Sequence, residues 1–332
     1  MKPLLVADMP TREWISDDFA NPVVFLAFFR LTWGPPPSQD DLSAYLGART
    51  PGEDSTEVVH WSEWGSRWIR SEHRQHRDLS LADFCRLHET VELWFDIGPE
   101  AQLRLVWLLD HFRAYPEAAG RLKLRLVDRS MDSIDLHGPT DWQPPIVDVT
   151  EKELATAQAA WRAYRSPTPE AFFDLLQRDV SALPLLKPVL LDLLAELPSA
   201  SSGLGATEMR MLEMIGRGYS LTNDIFYCAD VRQTRVFNEF ECGYLLDGLA
   251  FGPTPAVSGL DEELRTMSRD SLADRLKAYR RSRLSLTDFG KAVVAHKEDF
   301  SRHNPIDRWW GGTHLTNDNL WRCSPALSKP SR

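Results

Sequence analysis

The sequence predicts an α/β fold, with a mostly parallel, Rossmann-like sheet in the N-terminal domain and a helical, winged-helix-like C-terminal domain. Two observations predict it. Between residues 91 and 127 a strand-like run, a helical pattern and a second strand-like run follow one another, which is the order of a βαβ unit. Beyond residue 203, successive helical patterns precede short strand-like segments, which is the order of a winged helix.

The first predicted elements are two apolar runs. Residues 3–7 form a short strand that ends at Asp8, and residues 23–32 form a longer one that ends at Trp33. The glycine and three prolines after Trp33 cannot continue a strand or a helix. Residues 61–75 then predict an amphipathic helix, because tryptophans recur there at three- and four-residue spacing.

The βαβ unit comes next. Residues 91–95 predict a strand, residues 96–99 a turn that places proline near a helix start, and residues 101–115 an apolar-faced helix. Residues 122–127 alternate into the second strand. A crossover of this length favours parallel pairing.

From residue 150 the pattern becomes helical. Thr150 and Glu153 form a capping box, in which each side chain satisfies a backbone donor near the helix start, so a helix is expected through about Arg165. Further helices are expected to begin near the prolines at positions 169 and 188, and residues 198–203 predict a linker. We therefore predict an α/β domain over 1–149, a helical bridge over 150–202 and a winged-helix-like domain with a terminal hairpin over 203–332.

The second half completes the predicted elements. Helices are expected at 207–216, 221–228 and 238–250, a strand at 283–286, and another helix from Thr287. Residues 313–315 and 320–322 flank the turn-forming sequence TNDN, which predicts the terminal hairpin.

Composition limits the class of protein. A chain of 332 residues, 43% apolar and 26% charged, is typical of about two globular domains. Its apolar runs are far shorter than the ~20 residues of a membrane span, and Asp8 interrupts the N-terminus before a signal sequence could develop. We therefore expect a cytoplasmic protein that has no membrane partner.

Charge argues against nucleic acid as a partner. Residues 1–202 hold 20 Lys and Arg against 31 Asp and Glu, and residues 203–332 hold 18 against 17. Neither half has the positive excess of a protein that follows phosphate backbones. The predicted helix at 238–250, which would enter the major groove in a winged helix, carries acids and no Lys or Arg.

Signatures of common cofactors do not occur in the sequence. The cysteines are widely spaced, and His73 and His76 are the one histidine pair on a shared helical face, so we predict no metal site. Gly98 stands alone after its strand, so neither a dinucleotide fingerprint nor a phosphate-binding P-loop is present. The cofactor stays unknown.

Four segments carry a family resemblance. They are residues 91–96 (VELWFD) with Gln102, residues 160–164 (AWRAY), residues 286–290 (LTDFG) and residues 307–315 (DRWWGGTHL). Together they resemble the bacterial domain-of-unknown-function 1835 family. The resemblance implies architecture and no established activity. Members of this family usually have Gly-Asp at the end of the first strand, where this chain has Ala-Asp. They also usually have an acidic residue shortly before a Gly-Pro turn, and the corresponding segment here, RLTWGP, has no acid.

The first candidate site lies at the carboxyl edge of the sheet, where open parallel sheets bind ligands. Asp8 and Asp96 each follow a predicted strand, Gln102 falls in the first turn of the next helix, and Trp33 ends the second run. Two carboxylates at one edge can bind an amine, hydroxyls or a cation, or divide acid and base roles. The alternative is that both aspartates only cap helices and form turns.

The closing motif, residues 307–315, is the second candidate. Arg308 offers a bidentate fork to an anion, Trp309 a stacking face and His314 a titratable group. Alternatively the motif is an anchor that keeps the terminal segment docked.

Three functions remain open from the sequence. The leading hypothesis is a protein that binds or processes a small molecule at the strand edge, with catalysis uncertain. The alternatives are a transcriptional regulator acting through the winged-helix-like half, and a non-catalytic protein partner in a pathway.

Overall fold

A computed structural model describes residues 2–8, 21–26, 28–49, 59–64, 76–129, 143–227, 236–268, 272–323 and 329–331. The chain divides into two compact units. We call residues 1–31, 36–165 and 175–189 the α/β unit, and residues 32–35, 166–174 and 190–332 the helical unit. The predicted bridge over 150–202 is thus shared between the two units.

The α/β unit is built on a five-stranded sheet within the described residues. Its strands are β1 (Leu4–Ala7), β2 (Val23–Phe25), β3 (Val91–Phe95), β4 (Leu122–Leu126) and β5 (Ile146–Asp148). The order is β2-β1-β3-β4-β5, and β1 to β4 are parallel while β5 is antiparallel to β4. The predicted mostly parallel sheet is confirmed.

Strand β2 is shorter than predicted. It ends at Phe25 rather than near residue 32. Its partner β1 ends at Ala7, which pairs with Phe25, and the last ladder bond runs from Leu26 N to Ala7 O at 3.0 Å. An edge strand cannot continue where its neighbour stops, so the chain bends away.

Helices of the α/β unit follow the capping signals. They are α1 (Gln39–Leu46), α2 (Trp61–Trp64), α3 (Leu81–Cys85), α4 (Pro99–Phe112), α5 (Pro116–Ala119) and α6 (Glu151–Tyr164). The capping box of α6 is present as predicted, since the Glu153 carboxylate accepts from Thr150 N at 2.7 Å. Helices α4 and α6 pack against each other. Residues 65–75 of the predicted tryptophan-rich helix lie outside the described residues.

Helices α7 (Glu170–Leu175) and α8 (Leu186–Ala195) cross the limits of the units. The helical unit then contains α9 (Ala206–Gly216), α10 (Thr222–Tyr227), α11 (Glu239–Phe251), α12 (Leu272–Arg281) and α13 (Asp288–Val294). Its antiparallel pairs are β6 (Val257–Ser258) with β7 (Ser285–Leu286), and β8 (Asp307–Trp310) with β9 (Thr313–Thr316). The C-terminal part is thus helices with small antiparallel pairs, as predicted in outline.

The predicted linker at 198–203 is instead a packed turn. Ser202 is fully buried, Ser199 N donates to Leu204 O at 2.9 Å, and Ala200 N donates to Cys323 O at 3.3 Å. A serine side chain satisfies a backbone donor of this turn, because the Ser199 hydroxyl accepts a hydrogen bond from Ser202 N at 3.0 Å. Polar composition therefore marked a turn, and this turn lies within the helical unit.

The terminal hairpin lies one element earlier than predicted. Trp310 pairs with Thr313 across the two glycines, so the closing motif itself forms the hairpin. Gly311 has a φ of +51°, a conformation that glycine adopts without steric cost, which explains a two-residue connection here. Residues 316–319 do form a turn, but the backbone of Arg322 beyond it pairs with Ser331 in an isolated β-bridge and not in a second strand of a hairpin.

Among the helices in the described ranges, none is both long and apolar enough to cross a membrane.

Candidate functional site

The carboxyl edge of the sheet holds a topological switch point. From β1 the chain moves to β2 on one side, whereas β3 and β4 lie on the other, so connections diverge between β1 and β3. Asp8 directly follows β1 and Asp96 directly follows β3, and Asp8 N donates to Trp94 O at 3.3 Å. The structure thus places both predicted aspartates beside the crevice where such sheets bind ligands.

Arg104 occupies this edge as well. This residue of α4 is 4% exposed, and its Nη1 group pairs with the Asp8 carboxylate. Its Nη2 group donates to Phe29 O at 2.9 Å and lies 3.0 Å from the Glu100 carboxylate, which also accepts from Leu31 N at 2.9 Å. Sequence reasoning missed Arg104, although a lone arginine inside the apolar run 103–109 was the available signal.

Asp8 has a shifted proton affinity. Burial raises the pKa of Asp8 from 3.8 to about 6, and the nearby charges of Asp96 and Glu100 add to the rise. The Arg104 charge and its hydrogen bond lower the pKa but do not offset the desolvation. The Asp8 carboxyl therefore titrates within reach of neutral pH, which is common for groups in functional sites.

An aromatic cluster surrounds Tyr45 next to this ion pair. The Tyr45 ring is fully buried and stacks on the Phe28 ring, with the two ring centroids 5.7 Å apart. The centroids of the Phe29 and Trp107 rings lie 5.3 Å and 6.1 Å from that of Tyr45. Burial raises the pKa of Tyr45, and the Arg104 charge opposes that rise. Both residues contact Phe29, because Arg104 Nη2 donates to Phe29 O and the Phe29 ring packs on Tyr45.

Two buried polar atoms, one in this cluster and one on Arg104, have no hydrogen-bond partner among the described residues. Within the described part of the chain, neither the Tyr45 hydroxyl nor Arg104 Nε makes a hydrogen bond. Buried polar groups in native proteins are nearly always hydrogen-bonded, so two unsatisfied atoms on neighbouring side chains are unusual.

Asp96 and Gln102 shape the start of α4. The Asp96 carboxylate accepts from Gly98 N at 2.8 Å, and Gln102 Nε2 donates to Asp96 O at 2.6 Å. Gln102 also lines, with Phe95 and Arg125, a shallow crevice on the surface of the α/β unit. Both residues therefore have structural contacts in addition to their position at the edge.

Trp33 belongs to the helical unit rather than to the α/β unit. Its ring meets the edge of Phe237 at 5.5 Å and lies 6.0 Å from the ring of Tyr244. The ring contacts described for Trp33 are thus with residues of its own unit.

The closing motif has two different faces. On one face, Arg308 pairs with Glu208 at 2.8 Å, and Trp310 is 6% exposed and donates from Nε1 to Leu193 O at 2.6 Å. On the other face, Trp309 stacks on His314 with centroids 4.5 Å apart. One face is thus an anchor inside the helical unit, and the other is a partly exposed aromatic surface.

Metal chemistry and relatives give no further assignment. In the described ranges, no cluster of three or more His, Cys, Asp or Glu residues is arranged to hold a metal ion. No family model matches the chain, and no curated protein matches it either. Function has to be argued from the chemistry of the site.

Proposed function

We propose that this protein binds, or processes, a small molecule at the switch point between β1 and β3. The observation that carries the proposal is the buried pair of Asp8 and Arg104 at that point, beside two buried polar atoms that have no partner among the described residues. A buried ion pair loses hydration and is a weak source of stability, so its presence at the edge where open parallel sheets bind ligands favours a functional role.

The surroundings support recognition of a polar ligand. Asp8 combines a raised pKa with a specific charged partner, and the adjacent Tyr45 lies in an aromatic cluster. Ligand sites typically combine apolar and aromatic walls with a few convergent polar groups. We propose Asp8, Asp96 and Arg104 as the polar groups and Gln102 as the residue that holds the adjoining turn.

For the helical unit we propose a winged-helix-like arrangement. Three helices, α9, α10 and α11, followed by the β6–β7 pair support it. An antiparallel bridge between Leu221 and Arg283, two residues before β7, adds a third short segment to this pair. A cytoplasmic location and membership of the domain-of-unknown-function 1835 family are likewise proposals that rest on sequence.

Contacts of α11 favour a supporting role over DNA reading. Asp247 accepts from Leu264 N at 3.1 Å and from Arg265 N at 2.9 Å, and Glu241 helps to cap its own helix. Asp247 and Glu241 are thus committed to internal contacts, and Glu239, the third acid of this helix, is half-buried and would repel phosphate. A gel shift at two salt concentrations tests the regulator alternative, and binding that weakens steeply with salt would revive it.

The proposed site is tested by ligand-induced stabilisation. A panel of small carboxylates, amines, amides and phosphates is screened for compounds that raise the melting temperature, and the hits are repeated on Asp96→Asn. This variant keeps an oxygen for Gly98 N while removing the charge, so we expect an intact apo fold and a reduced ligand effect. Asp148→Asn, at the exposed far edge of the sheet, is the control. Equal stabilisation of both variants would remove the site from this edge.

A further inference from the structure

The end of helix α12 and the segment that joins it to β7 carry exposed positive charge. We call these cations the basic patch: Lys277, Arg280, Arg281 and Arg283. Among the described residues, none of their side chains forms an ion pair or a hydrogen bond. Arg275 on the same helix differs, since its Nη2 lies 2.8 Å from Glu262 and its Nη1 donates to Thr266 O at 3.0 Å. Arg275 thus holds its helix in place, whereas the charge of the basic patch faces solvent.

The patch continues from the helix along an extended segment. Arg283 and Ser285 are exposed, whereas Ser282 and Leu284 are buried. Side chains of an extended segment point alternately to opposite sides, so Arg283 and Ser285 share the outer side. Arg281, the last residue of α12, is exposed immediately before this segment. The cations therefore lie along one continuous exposed stretch of the chain.

An exposed aromatic ring lies beside this segment. Tyr219 is 44% exposed, and Leu284 N donates to the carbonyl oxygen of the next residue, Ser220, at 2.6 Å. Leu221 forms an antiparallel bridge with Arg283. Opposite residues of an antiparallel pair point to the same face, and so do residues two positions further along. Tyr219 and Arg283 are therefore diagonal neighbours on one face, which agrees with the exposure of both.

We propose that the basic patch and Tyr219 together bind single-stranded nucleic acid. Cations without partners attract an anionic ligand, and the guanidinium and ammonium groups of the patch suit phosphates of any sequence. An exposed tyrosine ring beside such cations offers a face on which a base stacks. An acidic peptide would match the charge but has no base for the ring. This surface belongs to the helical unit and does not include helix α11, so the proposal is independent of the site at the sheet edge.

The overall charge of the chain sets the expected strength of binding. A net charge of −10 repels a polyanion at long range, and neither half of the chain has a large positive excess. The patch is a local exception, because its cations are concentrated on one surface. For single strands, the logarithm of the binding constant falls with the logarithm of salt concentration by about 0.7 per phosphate contact, so four contacts predict a slope of about −3.

Fluorescence anisotropy of the full chain with a labelled oligothymidylate tests the proposal over a series of salt concentrations. Unlabelled competitors are an abasic strand and a duplex of the same length, a polyglutamate peptide of equal charge, and phosphatidylserine vesicles. We expect the oligothymidylate to bind most tightly, with the slope given above. The abasic strand should bind about 5-fold or more weakly, which is the smallest effect of losing one stacked base.

Two lysines form a matched pair for the charge. Lys277 lies in the patch, whereas Lys297 follows α13 in the same unit, is also exposed and has no ion pair among the described residues. Lys277→Gln should weaken binding and reduce the steepness of the salt slope by about 0.7, because one phosphate contact is lost. Lys297→Gln should leave the affinity and the slope unchanged.

Two exposed rings form a matched pair for stacking. Tyr219→Leu should weaken binding of the oligothymidylate about 5-fold or more and leave binding of the abasic strand unchanged. Phe251→Leu, at a ring of α11 that is 47% exposed, should change neither. Thermal melting followed by circular dichroism checks that each variant is folded.

Four results would each overturn the proposal. They are no binding of the oligothymidylate at low salt, tighter binding of the duplex, the peptide or the vesicles, equal effects of Lys277→Gln and Lys297→Gln, and unchanged oligothymidylate binding by Tyr219→Leu. A competitor that binds more tightly than the oligothymidylate would identify the class of partner that the patch serves instead.

Discussion

Arg104 on α4 forms a buried ion pair with Asp8 at the end of β1, although 96 positions separate them in the sequence. The pair connects the first strand of the sheet to the helix that follows the third. It therefore links the fold of the α/β unit to the edge where we place the ligand.

Removing one member of this pair should destabilise the protein strongly. Asp8→Ala leaves the guanidinium buried with one carboxylate fewer, and losing one partner of a buried pair costs about 3–5 kcal/mol of unfolding free energy. Asp148→Ala breaks the exposed pair with Lys123 in the same sheet and should cost about 1 kcal/mol or less. Urea unfolding at pH 7.5 measures both, and similar losses for the two variants would contradict the burial of the Asp8 pair.

The two tyrosines of the α/β unit should respond in opposite directions. Tyr45→Phe removes a buried hydroxyl without a partner among the described residues, so the unfolding free energy should rise by about 1 kcal/mol. Tyr164→Phe removes the donor to Leu31 O and should lower it by about 1 kcal/mol. A loss of stability in Tyr45→Phe would mean that its hydroxyl is hydrogen-bonded in the free protein.

Glu196 in the helical unit should make stability depend on pH. Burial raises the pKa of Glu196 from 4.5 to about 7, although Thr207 donates to both carboxylate oxygens. A raised folded-state pKa means that the contribution of Glu196 to stability is fully present below pH 4.5 and is lost as pH rises through about 7. The loss should be about 3 kcal/mol.

Glu196→Gln isolates this effect. Glutamine can accept from Thr207 N and donate to the Thr207 hydroxyl, but it does not ionise. Compared with wild type, the variant should therefore gain stability between pH 5 and pH 8 in urea unfolding. Glu213→Gln, at a partly exposed position of α9, is the control and should follow the wild-type profile. A parallel profile for Glu196→Gln would show that Glu196 is not the buried acid responsible.

The two tryptophans of strand β8 offer a test of the anchor. Trp310→Ala removes a buried ring that packs on Phe172 and bonds to Leu193 O, so it should cost about 3–5 kcal/mol. Trp309→Ala, on the opposite face of the same strand, should cost about 1 kcal/mol or less. Chemical unfolding followed by circular dichroism measures both. Reversed magnitudes would mean that the outer face is the one that holds the hairpin in place.

Local patterns determined the elements of this fold. The capping box at Thr150 and Glu153 set the start of α6, the proline at position 99 set the start of α4, and apolar runs marked β1, β3 and β4. These predictions succeeded because capping and hydrophobic periodicity act between residues that are close in sequence. Placing Asp8 and Asp96 at one edge followed from parallel pairing alone.

Tertiary structure decided what neighbours each element has. Strand β2 ends at Phe25 because β1 stops, and the hairpin closes at Gly311 because Trp310 and Thr313 pair across it. The end of β1 cannot be identified from the sequence around β2. At the hairpin, two local turns compete, at 311–312 and at 316–319, and only the structure shows which one joins the paired strands. The same holds for the site, since Arg104 looked like one charge in an apolar helix until folding brought it to Asp8. The sequence by itself determined which residues could form strands, caps and turns, and long-range packing decided which charges were taken out of water together.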